Sequence, residues 1–526
     1  MKVLIADPIA QAGIDLFESN DIQVDIKTGL SQNELVAIID QYDGIVVRSE
    51  TEVTKDVLDA GINLQVVGRA GVGVDNIDIV KATEKGIVVV NAPSSNTIAA
   101  AEHTMALILS LARHVPQAHS SMVQNLWERR QFMGRELKGK RLGLIGLGRI
   151  GTEVARRALA FDVEIVAFDP FVAEDHANKI RVQIVTFEEL LRTSDIISLH
   201  TPLRKDGEFL IGKMELEMMK KGSYLINCAR GGLVDESAAL QALHDEALGG
   251  VALDVFVNEP PAPNKLRDHP NLVLTPHLGA STSEAQTGVA TQVVQQMLDV
   301  IQGRTPAYAI NAPLIPADTV KEISPFIPVA FSVGRLVSQL LAGQPASLDI
   351  TFSGDIARFD TSILTANTIR GFLEQSTDEK INVINANIKA QQHGLKITET
   401  KDEELEDSYS SLITVETKSN TGSSVVKGSL TNNEVHIVQI GSYRVDIVPS
   451  GKPWIMINHT DRPGMIGNIG TVTGSIGINI ASMQVSREKS MGPAMTVLGL
   501  DEAIEEKELD NIRNIDDVDD VRVAHI

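Results

Sequence analysis

Three side chains suited to acid–base chemistry and to binding a carboxylate follow strand-like segments between residues 220 and 280. Arg230 ends the apolar stretch SYLINCAR, Glu259 lies in DVFVNEPP, and His277 follows LVLTP. A histidine can take the proton of a hydroxyl group near neutral pH, and a carboxylate on its far ring nitrogen fixes the tautomer. An arginine can bind a carboxylate with two hydrogen bonds. The three residue types therefore fit hydride transfer at a hydroxylated carbon that adjoins a carboxylate.

A glycine-rich segment, KRLGLIGLGRIG (residues 140–151), could hold the hydride acceptor. Gly146, Gly148 and Gly151 have the GxGxxG spacing between an apolar strand pattern and a helical pattern. Asp169 ends the next strand, 23 residues after Gly146, where an acid can bond the ribose hydroxyls of a dinucleotide. The segment predicts a dinucleotide site. Because the Asp169 carboxylate would repel a 2′-phosphate, it also predicts NAD rather than NADP.

Composition limits the other partners. The 526 residues carry 47 Lys and Arg against 69 Asp and Glu, a net charge of −22, which argues against nucleic acid and anionic membranes as partners. Cys228 is the single cysteine, so no intrachain disulfide is possible, and no His, Asp or Glu cluster has metal-ligand spacing. From this spacing we expect no metal. We also expect a cytoplasmic protein, because the start MKVLIADPIA has no signal-peptide pattern and no apolar run reaches membrane-spanning length.

The elements that position these residues alternate between strands and helices up to about residue 280. This alternation predicts an α/β fold with parallel sheets. We expect a Rossmann nucleotide-binding domain at 98–282. It would be inserted in a flavodoxin-like substrate domain formed by 1–97 and, through a returning helix, 283–312.

The remainder of the chain predicts two further domains. Proline is frequent over 311–328 and indicates a linker. Helical patterns near 360–392 and several later strands predict an α+β intervening domain at 316–450. The last segment, 452–526, reads strand, helix, strand, strand, helix, strand, which is the ferredoxin-like order.

Several motifs give the chain a family resemblance. GLGRIG with Asp169, CARGGLVDE, ALDVFVNEPP and TPHLGAST resemble the D-2-hydroxyacid dehydrogenases. Within that family, VVRSET, VGRAGVGVDNID, WERRQFMGREL and NHTDRPG are similar to the long-form D-3-phosphoglycerate dehydrogenases, which have an intervening domain of the allosteric substrate-binding type and a C-terminal ACT domain. The resemblance covers essentially the whole chain, but it rests on layout alone in the middle region. It implies NAD-dependent oxidation of 3-phosphoglycerate, the first step of phosphorylated L-serine biosynthesis, by a homo-oligomer (dimer or tetramer).

The resemblance also implies roles for individual residues. His277 would be the acid/base, Glu259 its partner, and Arg230 the carboxylate anchor. Residues expected to bind NAD are Gly146, Gly148, Arg149, Ile150, Gly151, Asp169, Thr201, Cys228, Ala229, Arg230, Asp254, His277, Gly279 and Ala280.

Substrate and effector contacts are expected at three further places. Arg48 with Ser49, and Arg69 with Gly71, follow strands of the first domain and are candidates for the substrate phosphate and carboxylate. Arg129 and Arg130 form a second basic group. They could instead be a solvated helix end or ion-pair partners at a subunit interface, or serve both purposes. The resemblance assigns His459, Asp461 and Asn479 to L-serine bound where two ACT domains meet, although such a domain could also serve assembly only.

Two other functions stay open from the sequence. The chain could be another D-2-hydroxyacid dehydrogenase, such as a glyoxylate or hydroxypyruvate reductase. It could also be a catalytically silent NAD-binding sensor of an amino acid. The ACT-like tail and the pair Arg48 and Arg69 favour 3-phosphoglycerate over the first alternative. The presence of Arg230, Glu259 and His277 together argues against the second.

Overall fold

We analysed a computed structural model, which describes residues 1–525 apart from 205, 264–268, 305, 313–316, 378 and 406–408. The chain divides into two compact units. The first contains residues 1–52, 67–77 and 90–308, and the second contains 53–66, 78–89 and 309–526. The predicted α/β fold class is confirmed. The predicted domain boundaries stay predictions, and residue 316, the expected start of the intervening domain, lies outside the described residues.

The N-terminal sheet has the flavodoxin-like strand order β2-β1-β3-β4-β5. Strand β1 is parallel to both of its neighbours. Because the sheet is buried on both faces, its central strands are continuous apolar runs rather than alternating ones. Its elements are β1 (Lys2–Ile5), α1 (Gln11–Glu18), β2 (Gln23–Ile26), α2 (Gln32–Ile38), β3 (Gly44–Val47), α3 (Lys55–Ala60), β4 (Val66–Arg69), α4 (Ile79–Glu84) and β5 (Val88–Asn91).

The second sheet is a seven-stranded Rossmann sheet in the order β12-β11-β10-β9-β6-β7-β8, and its paired strands run parallel. Helix α5 is Ala-rich and lies in its core. The elements are α5 (Thr97–Arg113), α6 (Val115–Val123), β6 (Arg141–Ile145), α7 (Arg149–Ala158), β7 (Glu164–Phe168), α8 (Glu174–Lys179), β8 (Gln183–Ile184), α9 (Phe187–Thr193), β9 (Ile196–Leu199), α10 (Lys213–Met218), β10 (Ser223–Asn227), α11 (Glu236–His244), β11 (Leu248–Leu253) and β12 (Leu272–Leu274).

A long helix, α12 (Ser283–Ile301), returns the chain to the N-terminal part of the first unit. Its N-cap is Thr282, whose hydroxyl accepts a hydrogen bond from the Ala285 N–H. Helix α12 packs against α1, and a Cβ on Gly13 would lie 3.1 Å from the Cβ of Ala290. The close approach of the two helices therefore depends on the missing side chain at residue 13.

The second unit contains a six-stranded sheet in the order β14-β13-β15-β16-β17-β18, covered by helices. The predicted proline linker is wrong beyond residue 316, because Pro325 and Pro328 lie in the first turns of a short 3₁₀ helix and of α14, where a missing N–H costs nothing. The elements are α13 (Ala317–Ile323), α14 (Ile327–Leu340), β13 (Pro345–Gly354), α15 (Ser362–Leu373), α16 (Ala386–Gln392), β14 (Lys396–Asp402), β15 (Ser411–Ser419), β16 (Ser423–Thr431), β17 (Glu434–Ile440) and β18 (Tyr443–Ile447).

The last part of the chain has the predicted ferredoxin-like order. Four strands pair as β20-β21-β19-β22, and two helices pack on one sheet face around Ile455 and Leu498. The other face, with Trp454 and Met456, joins the core of the six-stranded sheet. The elements are β19 (Pro453–Thr460), α17 (Met465–Ser475), β20 (Ile480–Arg487), β21 (Pro493–Leu500), α18 (Glu506–Arg513) and β22 (Val518–His525).

One helical stretch in the described part of the chain, residues 318–340, has the length and composition of a membrane span. Val329, Val333 and Leu336 of this stretch are fully buried in the core of the second unit. The core helix of a soluble domain meets the same criterion, so the stretch is weak evidence for a membrane.

Candidate active site

The glycine turn between β6 and α7 has the geometry that its spacing predicts. Gly146 has φ +97°, and a Cβ there would lie 2.5 Å from the His200 carbonyl oxygen. A Cβ on Gly151 would lie 2.2 Å from the Gly146 carbonyl oxygen, so helix and strand could not pack as they do. Gly148 has no atom within 4 Å of its hypothetical Cβ. The N-terminus of α7 is therefore open to a pyrophosphate.

Asp169 lies where the predicted ribose contact requires it, directly after β7. Its Oδ2 accepts a hydrogen bond from the Leu147 N–H at 2.8 Å, and its Oδ1 accepts one from the Phe171 N–H at 2.9 Å. These bonds fix the carboxylate next to the glycine turn. The side chain two residues after the acid is that of Phe171, which is 93% exposed and uncharged. It therefore offers no positive charge to a 2′-phosphate.

A cavity of about 330 Å³ extends from this turn along the carboxyl ends of the strands of the Rossmann sheet. The Oγ1 of Thr201 is buried there without a hydrogen-bond partner among the described residues. A hydroxyl left unpaired at such a place fits a ligand that supplies the missing bond. Predicted NAD contacts among the cavity residues are Arg149, Ile150, Thr201, Cys228, Ala229, Arg230, Asp254, His277, Gly279 and Ala280.

Asp254 is the centre of a buried hydrogen-bond network beside this cavity. Its Oδ1 accepts bonds from the Thr275 hydroxyl at 2.5 Å and the Leu278 N–H at 2.8 Å, and His103 Nε2 lies 3.0 Å away. Its Oδ2 accepts the Gly279 N–H at 2.9 Å. Burial opposes ionisation, but the bonds from His103, Thr275 and Leu278 outweigh it and lower the pKa of Asp254. The network holds the 275–279 turn, which carries His277.

Cys228 is a packed thiol beside Asp254. Its Sγ lies 3.5 Å from Asp254 Oδ2, and burial together with that carboxylate raises the pKa of the thiol. His103, Cys228 and Asp254 bring three possible metal ligands within 4.8 Å of one another, an arrangement that their spacing in the sequence does not reveal. Asp254 already bonds both His103 and Cys228, so the fold explains their positions without an ion.

His277 and Glu259 form the predicted pair. His277 Nδ1 lies 2.7 Å from Glu259 Oε2, and Glu259 Oε1 accepts the Phe256 N–H at 3.0 Å. His277 has φ +55°, a left-handed conformation that a non-glycine residue rarely adopts. Its backbone N–H donates to the Asp254 carbonyl at 2.8 Å. The carboxylate orients the ring through Nδ1, so Nε2 is the nitrogen left for a substrate hydroxyl.

Arg230 lies beside the cavity, after β10. Its Nη1 donates to the Ala229 carbonyl at 2.7 Å, and its Nε donates to Asp75 Oδ2 at 3.0 Å. Asn227, fully buried, bonds both the Ala229 N–H at 3.0 Å and the Arg230 carbonyl at 2.7 Å. This asparagine shapes the turn that carries Arg230, and sequence reasoning missed it although it is the polar residue that ends a buried strand.

Two more arginines, Arg48 and Arg69, complete a positive cluster. Arg69 is half-buried, and its Nε has no hydrogen-bond partner among the described residues. Burial, with the neighbouring guanidinium groups of Arg230 and Arg48, lowers the pKa of Arg69 to about 10. A Cβ on Gly71 would lie 1.4 Å from Arg69 Nη1, so the predicted contact residue Gly71 makes the space for this guanidinium. Like charges held this close favour an anionic ligand.

The turn that carries Arg48 is held by two residues that the sequence did not reveal. Buried Asp7 accepts the backbone N–H groups of Arg48 at 2.5 Å and Thr51 at 3.1 Å, and the Thr51 hydroxyl at 2.5 Å. Asn76 donates to the carbonyls of Arg48 at 2.8 Å and Thr51 at 2.6 Å. Asp7 lies two residues after β1, and a polar residue at the carboxyl end of a parallel strand is the signal that points to it.

The remaining predicted substrate contacts are not joined to this cluster by any described bond. Ser49 is exposed. Arg129 and Arg130 lie on a short 3₁₀ helix (Arg129–Phe132) with exposed side chains. Their roles stay predictions.

The predicted effector residues lie on the ferredoxin-like part. His459 is 1% exposed, and its Nε2 is 2.8 Å from the Thr496 hydroxyl. Asp461 accepts a hydrogen bond from Arg487 Nη1 at 2.8 Å. Asn479 donates to Asp501 at 2.5 Å. The structure therefore pairs each of the three residues within its own chain, and their contact with an effector between two chains stays a prediction.

Comparison with known proteins decides the family. Residues 105–279 match the family described as D-isomer specific 2-hydroxyacid dehydrogenase, NAD binding domain, and residues 322–441 match the D-3-phosphoglycerate dehydrogenase intervening domain. The chain is 42% identical over 528 residues to D-3-phosphoglycerate dehydrogenase of Bacillus subtilis (strain 168), covering 100% of this chain and 99% of the relative. The chain belongs to the D-3-phosphoglycerate dehydrogenase family.

Other members and solved structures agree with this. D-3-phosphoglycerate dehydrogenase of Synechocystis sp. is 41% identical over 516 residues, 98% of this chain and 93% of the relative. The structure of an NAD-dependent formate dehydrogenase from Staphylococcus aureus in complex with NAD is 32% identical, with a TM-score of 0.52 over 58% of this chain and 96% of that one. The predictions of family, NAD-dependent enzyme class and cofactor are confirmed.

Proposed function

We propose that the chain oxidises D-3-phosphoglycerate to 3-phosphohydroxypyruvate with NAD, the first step of phosphorylated L-serine biosynthesis. The observation that carries this proposal is one cluster of three guanidinium groups, those of Arg48, Arg69 and Arg230, in the same unit as the His277–Glu259 pair. The substrate carries two anionic groups, a carboxylate and a phosphate, on either side of the reacting hydroxyl. In an acidic protein, a local excess of arginine is what such a substrate requires.

The chain's residues would divide the work as follows. The glycine turn, Asp169 and Thr201 would hold NAD, which would supply the hydride acceptor for the hydroxylated carbon. His277 Nε2 takes the hydroxyl proton, and Glu259 stabilises the imidazolium that forms. Arg230 binds the carboxylate and polarises the adjacent C–O bond.

The other two arginines would bind the phosphate group of the substrate. Arg48 and Arg69 extend the positive cluster from Arg230 along the N-terminal sheet. Anion binding would offset the mutual repulsion of the three guanidinium groups. Relief of the repulsion that the fold imposes on the free enzyme would therefore contribute to substrate affinity.

The decisive assay is NADH formation with 3-phosphoglycerate compared with lactate, glycerate and 2-hydroxyglutarate, at equal enzyme and NAD. We expect kcat/KM to be highest with 3-phosphoglycerate. A higher value with an unphosphorylated acid would make the chain another D-2-hydroxyacid dehydrogenase. Binding of NADH without turnover of any of the four acids would make it a silent sensor.

We also propose a cytoplasmic homo-oligomer, a dimer or tetramer. Apolar side chains are exposed over residues 122–133, with Trp127 at 75% and Met133 at 82% exposure, and such patches fit contact with a second copy. The single free thiol fits a reducing compartment. Light scattering of the purified chain tests the assembly, and a monomer would contradict it.

L-Serine is the proposed effector, bound by the ferredoxin-like part acting as an ACT domain. Gly464, at φ +94°, begins α17 with no atom near its hypothetical Cβ, so a ligand carboxylate can approach the helix start. Asp461 would receive the ammonium group by exchanging its bond to Arg487. Buried His459 would support the loop from below, and Asn479 would reach the ligand from a second chain.

A further inference from the structure

The segment RAGVGVD (residues 69–75) does more than supply Arg69 and Gly71. Arg230 and Asp75 are 155 positions apart in sequence, but Arg230 Nε lies 3.0 Å from Asp75 Oδ2. A Cβ on Gly73 would lie 2.0 Å from Arg230 Nη2 and 2.9 Å from Asp75 Oδ2. The space above Gly73 is thus filled by this ion pair. Any larger residue would displace it.

The described bonds of Arg230 fix its guanidinium group from two sides. Nε is held by Asp75 and Nη1 by the Ala229 carbonyl. Because the guanidinium group is planar, two bonded nitrogens determine both its plane and its rotation. Nη2, which lies against Gly73, remains to receive a carboxylate oxygen.

Electrostatics alone does not explain Asp75. Its side chain is 53% exposed, and an exposed ion pair contributes little to folding stability. A carboxylate at the edge of an arginine cluster also repels an anionic substrate, so its charge works against binding. The contribution of Asp75 that remains is to fix the orientation of the Arg230 guanidinium group.

We infer that Asp75 is a positioning residue, which together with Gly73 holds Arg230 in the orientation that receives the substrate carboxylate. This inference rests on the proposed use of Arg230 as the carboxylate anchor. It does not depend on the phosphate, because every 2-hydroxy acid carries the same carboxylate.

The test compares Asp75→Ala, Asp75→Asn and Gly73→Ala. In Asp75→Asn the amide oxygen still accepts the Nε–H bond, whereas Asp75→Ala frees the guanidinium and Gly73→Ala displaces it. Immobilising one such side chain changes affinity by about three- to tenfold, so we expect kcat/KM to fall by about that factor for Asp75→Ala and at least as much for Gly73→Ala. Asp75→Asn should restore kcat/KM to within about twofold of the wild type.

Controls separate positioning from folding and from the choice of substrate. NADH affinity and Tm should be unchanged in both Asp75 variants. Glu188→Ala, which removes an exposed carboxylate 2.9 Å from Arg192 on α9, should leave kcat/KM unchanged. Equal kcat/KM for Asp75→Ala and the wild type, or the same change in kcat/KM for Asp75→Asn as for Asp75→Ala, would overturn the inference. If the wild type prefers another 2-hydroxy acid, the proposed substrate fails, and the same three variants then test Asp75 with that acid.

Discussion

Replacing Glu259 by Gln tests the catalytic pair with almost no change of volume. Glu259 now contacts two groups, His277 Nδ1 at 2.7 Å and the Phe256 N–H at 3.0 Å. A glutamine has only one accepting oxygen. If that oxygen keeps the Phe256 N–H, the amide nitrogen faces His277 Nδ1, and the two donors are compatible only when the ring proton moves to Nε2.

The size of the effect follows from this geometry. A proton on Nε2 prevents that nitrogen from accepting the substrate proton, and the comparable change in a serine protease lowers turnover by about 10⁴. The side chains of His277 and Glu259 are 39% and 35% exposed, so water can stabilise part of the developing charge. Losing one charge-assisted hydrogen bond, worth about 1.5–3 kcal/mol, corresponds to roughly 10- to 150-fold. We expect kcat to fall about 100-fold.

The assay is the rate of NADH formation at saturating substrate, with NADH affinity measured separately by fluorescence. His277→Ala, which loses the base entirely, sets the lower limit. Glu236→Gln is the matched control, because Glu236 Oε1 accepts the Val257 N–H at 2.7 Å and no described bond joins it to His277. If Glu259→Gln kept more than half of the wild-type kcat, or lost NADH affinity together with turnover, the tautomer argument would be refuted.

Four further outcomes are expected. The wild type should have a much higher kcat/KM with NAD than with NADP, and Asp169→Ala should reduce this preference. Comparable kcat/KM values of the wild type with the two coenzymes would refute the role of Asp169 at the ribose. Arg48→Ala should reduce kcat/KM on 3-phosphoglycerate more than on glycerate, and equal losses would make Arg48 structural. Burial lowers the pKa of His200 to about 4, below the value of about 6.5 in the unfolded chain. The contribution of neutral His200 to the free energy of unfolding is therefore complete above pH 6.5 and is lost as the pH falls towards 4. In urea denaturation the free energy of unfolding should be about 2 kcal/mol smaller at pH 5 than at pH 7.5, and His200→Gln should remove that difference. Calorimetric titration with L-serine should give heat and inhibition in the wild type but not in Asp461→Ala; no response of the wild type would leave the tail as an assembly module.

The predictable part of the fold is the part that local pattern determines. The glycines of the nucleotide turn are identified by their spacing within six residues, and for Gly151 the steric reason is local, because a Cβ there would meet the Gly146 carbonyl oxygen. The ferredoxin-like order follows from short apolar strands separated by helical periods. Strand β14 (Lys396–Asp402) was missed because most of its residues are exposed and polar, so it has no apolar alternation from which a strand can be predicted.

The predictable part of the site is the set of groups that would touch ligands. Arg230, Glu259 and His277 can be named from their chemistry and from their place after strands. For residues that act on other residues, a place near a strand end can mark the residue, but the sequence does not identify the group that it binds. Asp7 binds a turn more than 40 positions away, and Asp75 binds an arginine 155 positions away. Contacts of this range depend on the strand order of two sheets, which a single sequence does not state.

The arginine cluster connects the overall charge of the chain to its chemistry. At a net charge of −22, long-range electrostatics opposes a substrate that carries both phosphate and carboxylate. The fold overcomes this locally, because Gly71 and Gly73 leave room for the guanidinium groups of Arg69 and Arg230 along one turn. Burial, and then the neighbouring guanidinium groups of Arg230 and Arg48, lower the pKa of Arg69 to about 10. An anion with groups for both arginines would offset the repulsion among these guanidinium groups, whereas a monoanion would offset only part of it, so we expect the cluster to favour a phosphorylated acid.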